Sequence, residues 1–155
     1  MMDEKRSGLV PFDLHIHDLD FMVYAFGMPK VAYQYRSKLP DQDFVSISYD
    51  FGDFSINSEA SWYATCYPFT AEFRFQFEDA LVANENGKMV IYCRDDVKID
   101  LSQDAEGDTG SINLPKSDAY ANEINYFADC VMNDLPVEKV KPEELACVLN
   151  ILNNL

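Results

Sequence analysis

Histidine is scarce in this sequence: there are 2 in 155 residues, His15 and His17, separated by one position. A metal centre built on imidazoles from several strands therefore has no further ligands to draw on. The 4 cysteines, at 66, 93, 130 and 147, form no C-x-x-C pair, and no Asn-x-Ser/Thr sequon is present. We read them as buried thiols of a cytoplasmic protein. The 6 glycines contain no G-x-G-x-x-G, so the phosphate-cradling turn of a dinucleotide-binding fold is not seen. Basic residues are few, 12 against 27 acidic ones. The resulting net charge of −15 repels phosphate backbones and argues against nucleic acid as a partner. Apolar runs such as Phe21 to Phe26 are far shorter than the roughly 20 residues of a membrane span. Asp3, Glu4, Lys5 and Arg6 stand where a signal peptide would begin.

What is present is apolar and aromatic. Hydrophobic residues make up 48% of the chain, including 11 Phe, 9 Tyr and 1 Trp, which is too much for a disordered acidic tail. The length suits one domain with a sizeable core. No internal repeat or composition break divides it, so residues 1–155 are read as a single α/β domain.

Periodicity then places the elements. Residues 1–8 are polar and read as loose, and Leu9 to Ile16 as a short extended segment. Leu19, Met22, Val23 and Phe26 follow at i, i+3, i+4 and i+7, one apolar stripe of a helix. Asp18 and Asp20 suit its first turn, Gly27 its end, and Pro29 lies just beyond. From Val31 to about Asp100 the period changes to two. Val45, Ile47 and Tyr49 alternate with serines, Phe73, Phe75 and Phe77 with Arg74 and Gln76, and Met89 to Cys93 is apolar on both sides. Ser55 to Trp62 is a further strand. The turns fall at Asp50 to Asp53, at Glu78-Asp79 and at Asn84 to Gly87, where Asn86-Gly87 is a strong hairpin signal. Residues 102–118 read as a long exposed connection. A second helix carries Tyr120, Ile124, Phe127, Ala128 and Val131 on one face. A third starts at Pro142 with Leu145, Val148, Leu149 and Leu152 as its stripe. Helix, many strands, two helices is an α+β layout: one large, mainly antiparallel sheet with helices packed on one face. Phe54, Ile56, Trp62, Phe73, Phe75 and Phe77 exceed what three short helices can cover, which points to a homo-oligomer formed through the open sheet face.

The chemistry is concentrated in Phe12-Asp13-Leu14-His15-Ile16-His17-Asp18-Leu19-Asp20. Three readings of it compete. Asp13-Leu14-His15-Ile16-His17 looks like the first strand of amidohydrolase-type metal hydrolases, although the further histidines and the long barrel are missing. Asp13 and His17, four apart, also suit a proton-transfer pair in which a carboxylate fixes the imidazole tautomer. In the third reading Asp18 caps the helix and His17 is a satisfied core or surface histidine.

A wider comparison favours the second. Asp13-x-x-x-His17-Asp18-x-Asp20, followed by a helix and Gly27-Met28-Pro29, resembles the corresponding stretch of the Gfo/Idh/MocA family (glucose–fructose oxidoreductase, inositol dehydrogenase and relatives). Tyr120-x-x-Glu123-Ile124-x-x-Phe127 is similar to that family's penultimate helix, and Glu59, Trp62 and the phenylalanine-rich strand after Pro68 are similar in layout. The likeness spans nearly the whole chain but only the family's C-terminal half. The Rossmann domain that binds NAD or NADP, and its Glu-Lys-Pro motif, belong to the other half. His15 and Leu9-Val10-Pro11 depart from the family's pattern.

The resemblance implies a dihydrodipicolinate-reductase-like C-terminal fold and a substrate-binding and oligomerisation domain of an NAD(P)-dependent oxidoreductase. It implies a sugar, polyol or related hydroxy compound as substrate. His17 is then the general acid/base on the substrate hydroxyl and Asp13 the residue that orients it, with no cofactor-binding or metal-ligating residue in this chain. Two other readings stand beside it: a stand-alone binding or scaffold module that pairs through its sheet, and a small metal-dependent hydrolase.

Overall fold

The computed structural model describes residues 9–63, 65–85, 87–101 and 119–155. The expected loose start at 1–8 and connection at 102–118 lie outside these residues. The chain divides into two compact units, residues 1–67 with 136–155, and residues 68–135.

In the first unit the chain enters through a π-helical turn, Pro11–His15, which runs directly into helix α1 (Ile16–Phe26). This corrects the extended segment expected there. Proline lacks an N–H and holds φ near the helical value, so it suits a helix's first turn. The amides of Phe12 and Asp13 both donate to the Leu9 carbonyl, each at 2.9 Å, and the chain is already coiled. Helix α1 ends at Gly27, whose φ of 89° and ψ of −173° lie in a region that L side chains avoid.

Three antiparallel strands follow in the order β1 (Lys30–Leu39), β2 (Gln42–Asp50) and β3 (Ser55–Trp62). The register slips between Val31 and Tyr33, which leaves Ala32 as a bulge. Alternation along β2 is as expected: Asp43, Val45, Ile47 and Tyr49 are buried, and the residues between them are less so. The Asp50 to Asp53 turn also forms, with Gly52 at φ 93° and its amide donating to Asp50 Oδ1 at 2.8 Å. Phe51 and Phe54 stack at 5.0 Å between ring centres, and Phe26 meets Phe54 edge-on at 5.6 Å, which ties this turn to the end of α1.

A last helix, which we number α3 (Pro142–Leu152), completes the unit. Val148, Ile151 and Leu152 join Leu19, Met22, Val23, Val45, Ile47 and Tyr49 in one buried cluster, with Ile56, Ala60 and Trp62 of β3 packed against it. Ile56 and Trp62, expected on an uncovered face, thus lie on the side that receives the helices. Leu145 and Leu149 are exposed, so the buried side of α3 is turned from the expected stripe toward Ile151. Four apolar positions every third and fourth residue define a wide arc, and packing selects part of it.

The second unit contains β4 (Phe73–Gln76), β5 (Ala80–Glu85), β6 (Lys88–Cys93) and β7 (Lys98–Asp100), antiparallel and hydrogen-bonded in that order. It also contains α2 (Ala119–Met132). The β5–β6 hairpin closes with Glu85 opposite Lys88, as the turn signal predicts. Ala83 and Val90 are buried opposite each other. The expected stripe of α2 is not: Tyr120, Ile124, Phe127 and Val131 are 59–77% exposed, and among the described residues Cys130 is the one that α2 buries. Periodicity identifies an apolar side, not the surface that covers it. Of the four free cysteines only Cys130 is buried, and Cys66 is exposed, contrary to the expectation of four buried thiols.

The α+β class and the antiparallel pairing stand, but among the described residues the strands form two sheets of three and four rather than one. Residues 66–72, between β3 and β4, carry Pro68 and add no strand to either sheet. A proline has no amide to donate to a ladder, and it interrupts the alternation there. No helix among the described residues is long and apolar enough to cross a membrane.

Candidate functional site

The π-helical turn and the first five residues of α1 carry every residue of the Asp/His cluster, and β2 and β3 supply the partners of Asp13 and His15. Asp13 is half-buried, and its Oδ2 accepts a hydrogen bond from the Trp62 indole Nε1 at 3.0 Å. His15 is fully buried. Its Nε2 lies 2.6 Å from the Tyr49 hydroxyl, and its ring is nearly parallel to the Tyr49 ring, at 10°. Its Nδ1 lies 3.4 Å from Ser58 Oγ and 3.7 Å from Asp18 Oδ2. His17 is exposed, as are Asp18 and Asp20. No hydrogen bond or ion pair joins Asp13 to His17. The two expected site residues are therefore close in the chain, one held by the sheet and the other open to solvent.

Electrostatics assigns the protons of the buried pair. A carboxylate beside Nδ1 favours a proton on that nitrogen, so Nε2 carries the lone pair and the Tyr49 hydroxyl donates to it. Burial, and then the negative charge of Asp18, push the Tyr49 phenol well above its ordinary range. Tyr49 is thus a neutral donor at physiological pH.

Sequence reasoning named His15 only in the metal-hydrolase reading and as a departure from the family's pattern, although a signal for its burial exists. It precedes Leu19 by four residues and Val23 by eight, which extends the buried stripe of α1 backward by one turn. Of the two histidines it is the inward one. His17, two positions on, faces out because the helical path turns about 100° per residue.

A second polar anchor lies on the same side of the sheet. Asp43 is fully buried; its carboxylate accepts from Arg36 Nε at 3.0 Å and Nη2 at 2.8 Å, and from the Val10 amide at 3.0 Å. Arg36 Nη1 also donates to the Leu155 carbonyl at 3.3 Å, and Gln34 Nε2 to the Asn154 carbonyl at 2.9 Å. The residue just before the π-helical turn and the end of the last helix are thereby fastened to neighbouring strands.

Chemically, the surface offers an imidazole with both nitrogens open and a carboxylate with one oxygen engaged. That set can exchange a proton with a hydroxyl brought to it. Among the described residues no group of three or more His, Cys, Asp or Glu side chains is placed to hold a metal ion.

No protein-family model matches the sequence, and no curated protein does. The fold has a solved counterpart. It is similar to the crystal structure of a dehydrogenase (MviM) from Clostridium difficile, with a TM-score of 0.70 over 96% of this chain and 16% sequence identity. This chain spans 48% of the length of that dehydrogenase. At this identity the likeness establishes the fold, which is that of about half of a dehydrogenase chain.

Proposed function

We propose that this chain is the substrate-binding and oligomerisation domain of an NAD(P)-dependent oxidoreductase acting on a sugar, polyol or related hydroxy compound. The observation that carries the reading is the match of nearly the whole chain to about half of a dehydrogenase. It agrees with the sequence's resemblance to the C-terminal half of the Gfo/Idh/MocA family. The hydride chemistry would be supplied by a nicotinamide held in a domain of its own. In this chain, His17 takes or returns the proton of the substrate hydroxyl at its open imidazole nitrogen. Asp13, with one oxygen fixed by Trp62, orients the substrate by accepting from a second hydroxyl. The side of the β1–β3 sheet away from the helices carries Tyr33, Tyr35 and Phe44 among serines, and we assign it to pairing with a second copy.

Ligand-observed NMR with myo-inositol and D-glucose as probes tests the reading. Saturable binding is expected, weakened about tenfold by His17→Ala or Asp13→Asn, the scale of one lost hydrogen bond. Titration with NADH is expected to give no saturable fluorescence change. Tight NADH binding by the chain, or sugar and polyol binding indifferent to both substitutions, overturns it.

A further inference from the structure

We infer that His15 is a positioning residue for the Asp13/His17 pair: a buried peg that pins the π-helical turn to the sheet and so sets the direction in which the two outer groups are presented. The inference rests on the reading of Asp13 and His17 given above. Its own warrant is geometric and is independent of any ligand.

The turn is attached to β3 at two points. Trp62 donates to Asp13, and Ser58 sits beside His15 Nδ1. Ser58, Ala60 and Trp62 alternate along one face of β3, so the two attachments are four residues apart on the strand and two apart on the turn. Ala60 lies between them with the smallest side chain that keeps strand geometry, which lets the turn approach closely. A third point, on β2, is the Tyr49 hydroxyl at His15 Nε2. The imidazole is thus held at both nitrogens with no exposed surface, by groups from two strands.

A residue placed there for packing alone needs no polar atoms. Burying two ring nitrogens is costly unless each finds a partner, and here each does. What the pair of bonds adds over an apolar side chain is direction: an imidazole bonded at both ends cannot rotate. The backbone on either side of it cannot shift without breaking one of them. Asp13 is two residues before this fixed point and His17 two residues after. A π-helical turn is a less favourable coil than an α-helix, and such turns recur at functional sites. Released from the sheet, the segment is free to tighten into α-geometry, which rotates Asp13 relative to His17.

The chain's composition gives a clean test, because it has one tryptophan and two histidines. The indole N–H of Trp62 reports its bond to Asp13, and the ring signals of His17 report the outer imidazole. In 15N NMR spectra, His15→Ala is expected to speed solvent exchange of the Trp62 indole N–H about tenfold and to move the His17 ring signals. His15→Gln, which keeps a polar donor and acceptor, is expected to restore part of the protection. Val148→Ala empties space in the same core and removes no hydrogen bond to the turn, and is expected to change neither reporter. If His15→Ala does not fold, Tyr49→Phe carries the test: it leaves the imidazole in place but removes one tether, and is expected to raise the indole exchange rate in the same direction by a smaller factor.

Unchanged exchange and unchanged His17 signals in a folded His15→Ala or Tyr49→Phe protein overturn the inference. So does an equal response in Val148→Ala. These signals read geometry whether or not a hydroxy compound binds, whereas the inositol and glucose titrations read the proposed function. A responsive indole with no sugar or polyol binding keeps the anchor and removes its purpose; the reverse outcome keeps the function and removes the anchor.

Discussion

Asp43 and Arg36 show how one buried charge shapes its surroundings. The Asp43 carboxylate is removed from water, and three donors meet its two oxygens. The two partners are unequal, since Arg36 retains 23% of its side-chain exposure and Asp43 none. Removing the arginine leaves a buried, under-compensated charge, whereas removing the aspartate leaves a guanidinium that water can reach. Chemical denaturation is expected to show Arg36→Met destabilised by about 3–5 kcal/mol, and Asp43→Asn by clearly less. Tyr49 gives a second residue-level expectation. Its folded phenol titrates above its unfolded value of about 10, so the native state keeps a proton that the unfolded chain loses. The stabilising contribution is complete below that value and declines as pH rises beyond it, by at most about 1.4 kcal/mol per pH unit. Denaturation curves at increasing alkaline pH are expected to fall more steeply for the native sequence than for Tyr49→Phe.

At the scale of the element, the turn at the end of α1 is the sharpest case. A Cβ at Gly27 would meet nothing within 4 Å, so an alanine there is not excluded by crowding. It is opposed by backbone conformation alone, at φ 89°. Gly27→Ala is expected to lower stability by about 1–3 kcal/mol in thermal or urea unfolding, with the fold and the Trp62 indole signal retained. The same stretch shows what pattern reading can see. The helix stripe, Gly27 and the turn at Gly52 were legible because they are local: a 3.6-residue period and a positive φ need only neighbours in the chain. The π-helical turn was not legible. Phe12 to Ile16 alternates like a strand, and what makes it coil is Pro11 together with contacts to β2 and β3 that lie more than 30 residues away. The stripes of α2 and α3 were legible as apolar, but which part of each is buried was not.

On the scale of the whole molecule, charge opposes association and apolar surface favours it. A net charge of −15 makes two copies repel, and salt shortens the range of that repulsion from about 30 Å at 0.01 M to about 8 Å at 0.15 M. If the uncovered sheet face pairs with a second copy, sedimentation velocity at micromolar concentration is expected to show a dimer or larger species whose share grows with salt over that range. A monomer at every salt concentration contradicts the proposed pairing.

The sequence by itself determined the α+β class, the antiparallel hairpins, the limits of β3 and, to within one residue, those of β4 and β6, and the stretch that gathers both histidines with their neighbouring carboxylates. All of these follow from side-chain periods and turn residues within a short span. Tertiary structure decided which histidine is buried, that the strands divide into two sheets, and that Asp13 answers to Trp62 rather than to His17. Each of these is a choice between partners distant in sequence, made by which arrangement leaves the fewest polar groups buried without a hydrogen bond, and no local pattern encodes that competition.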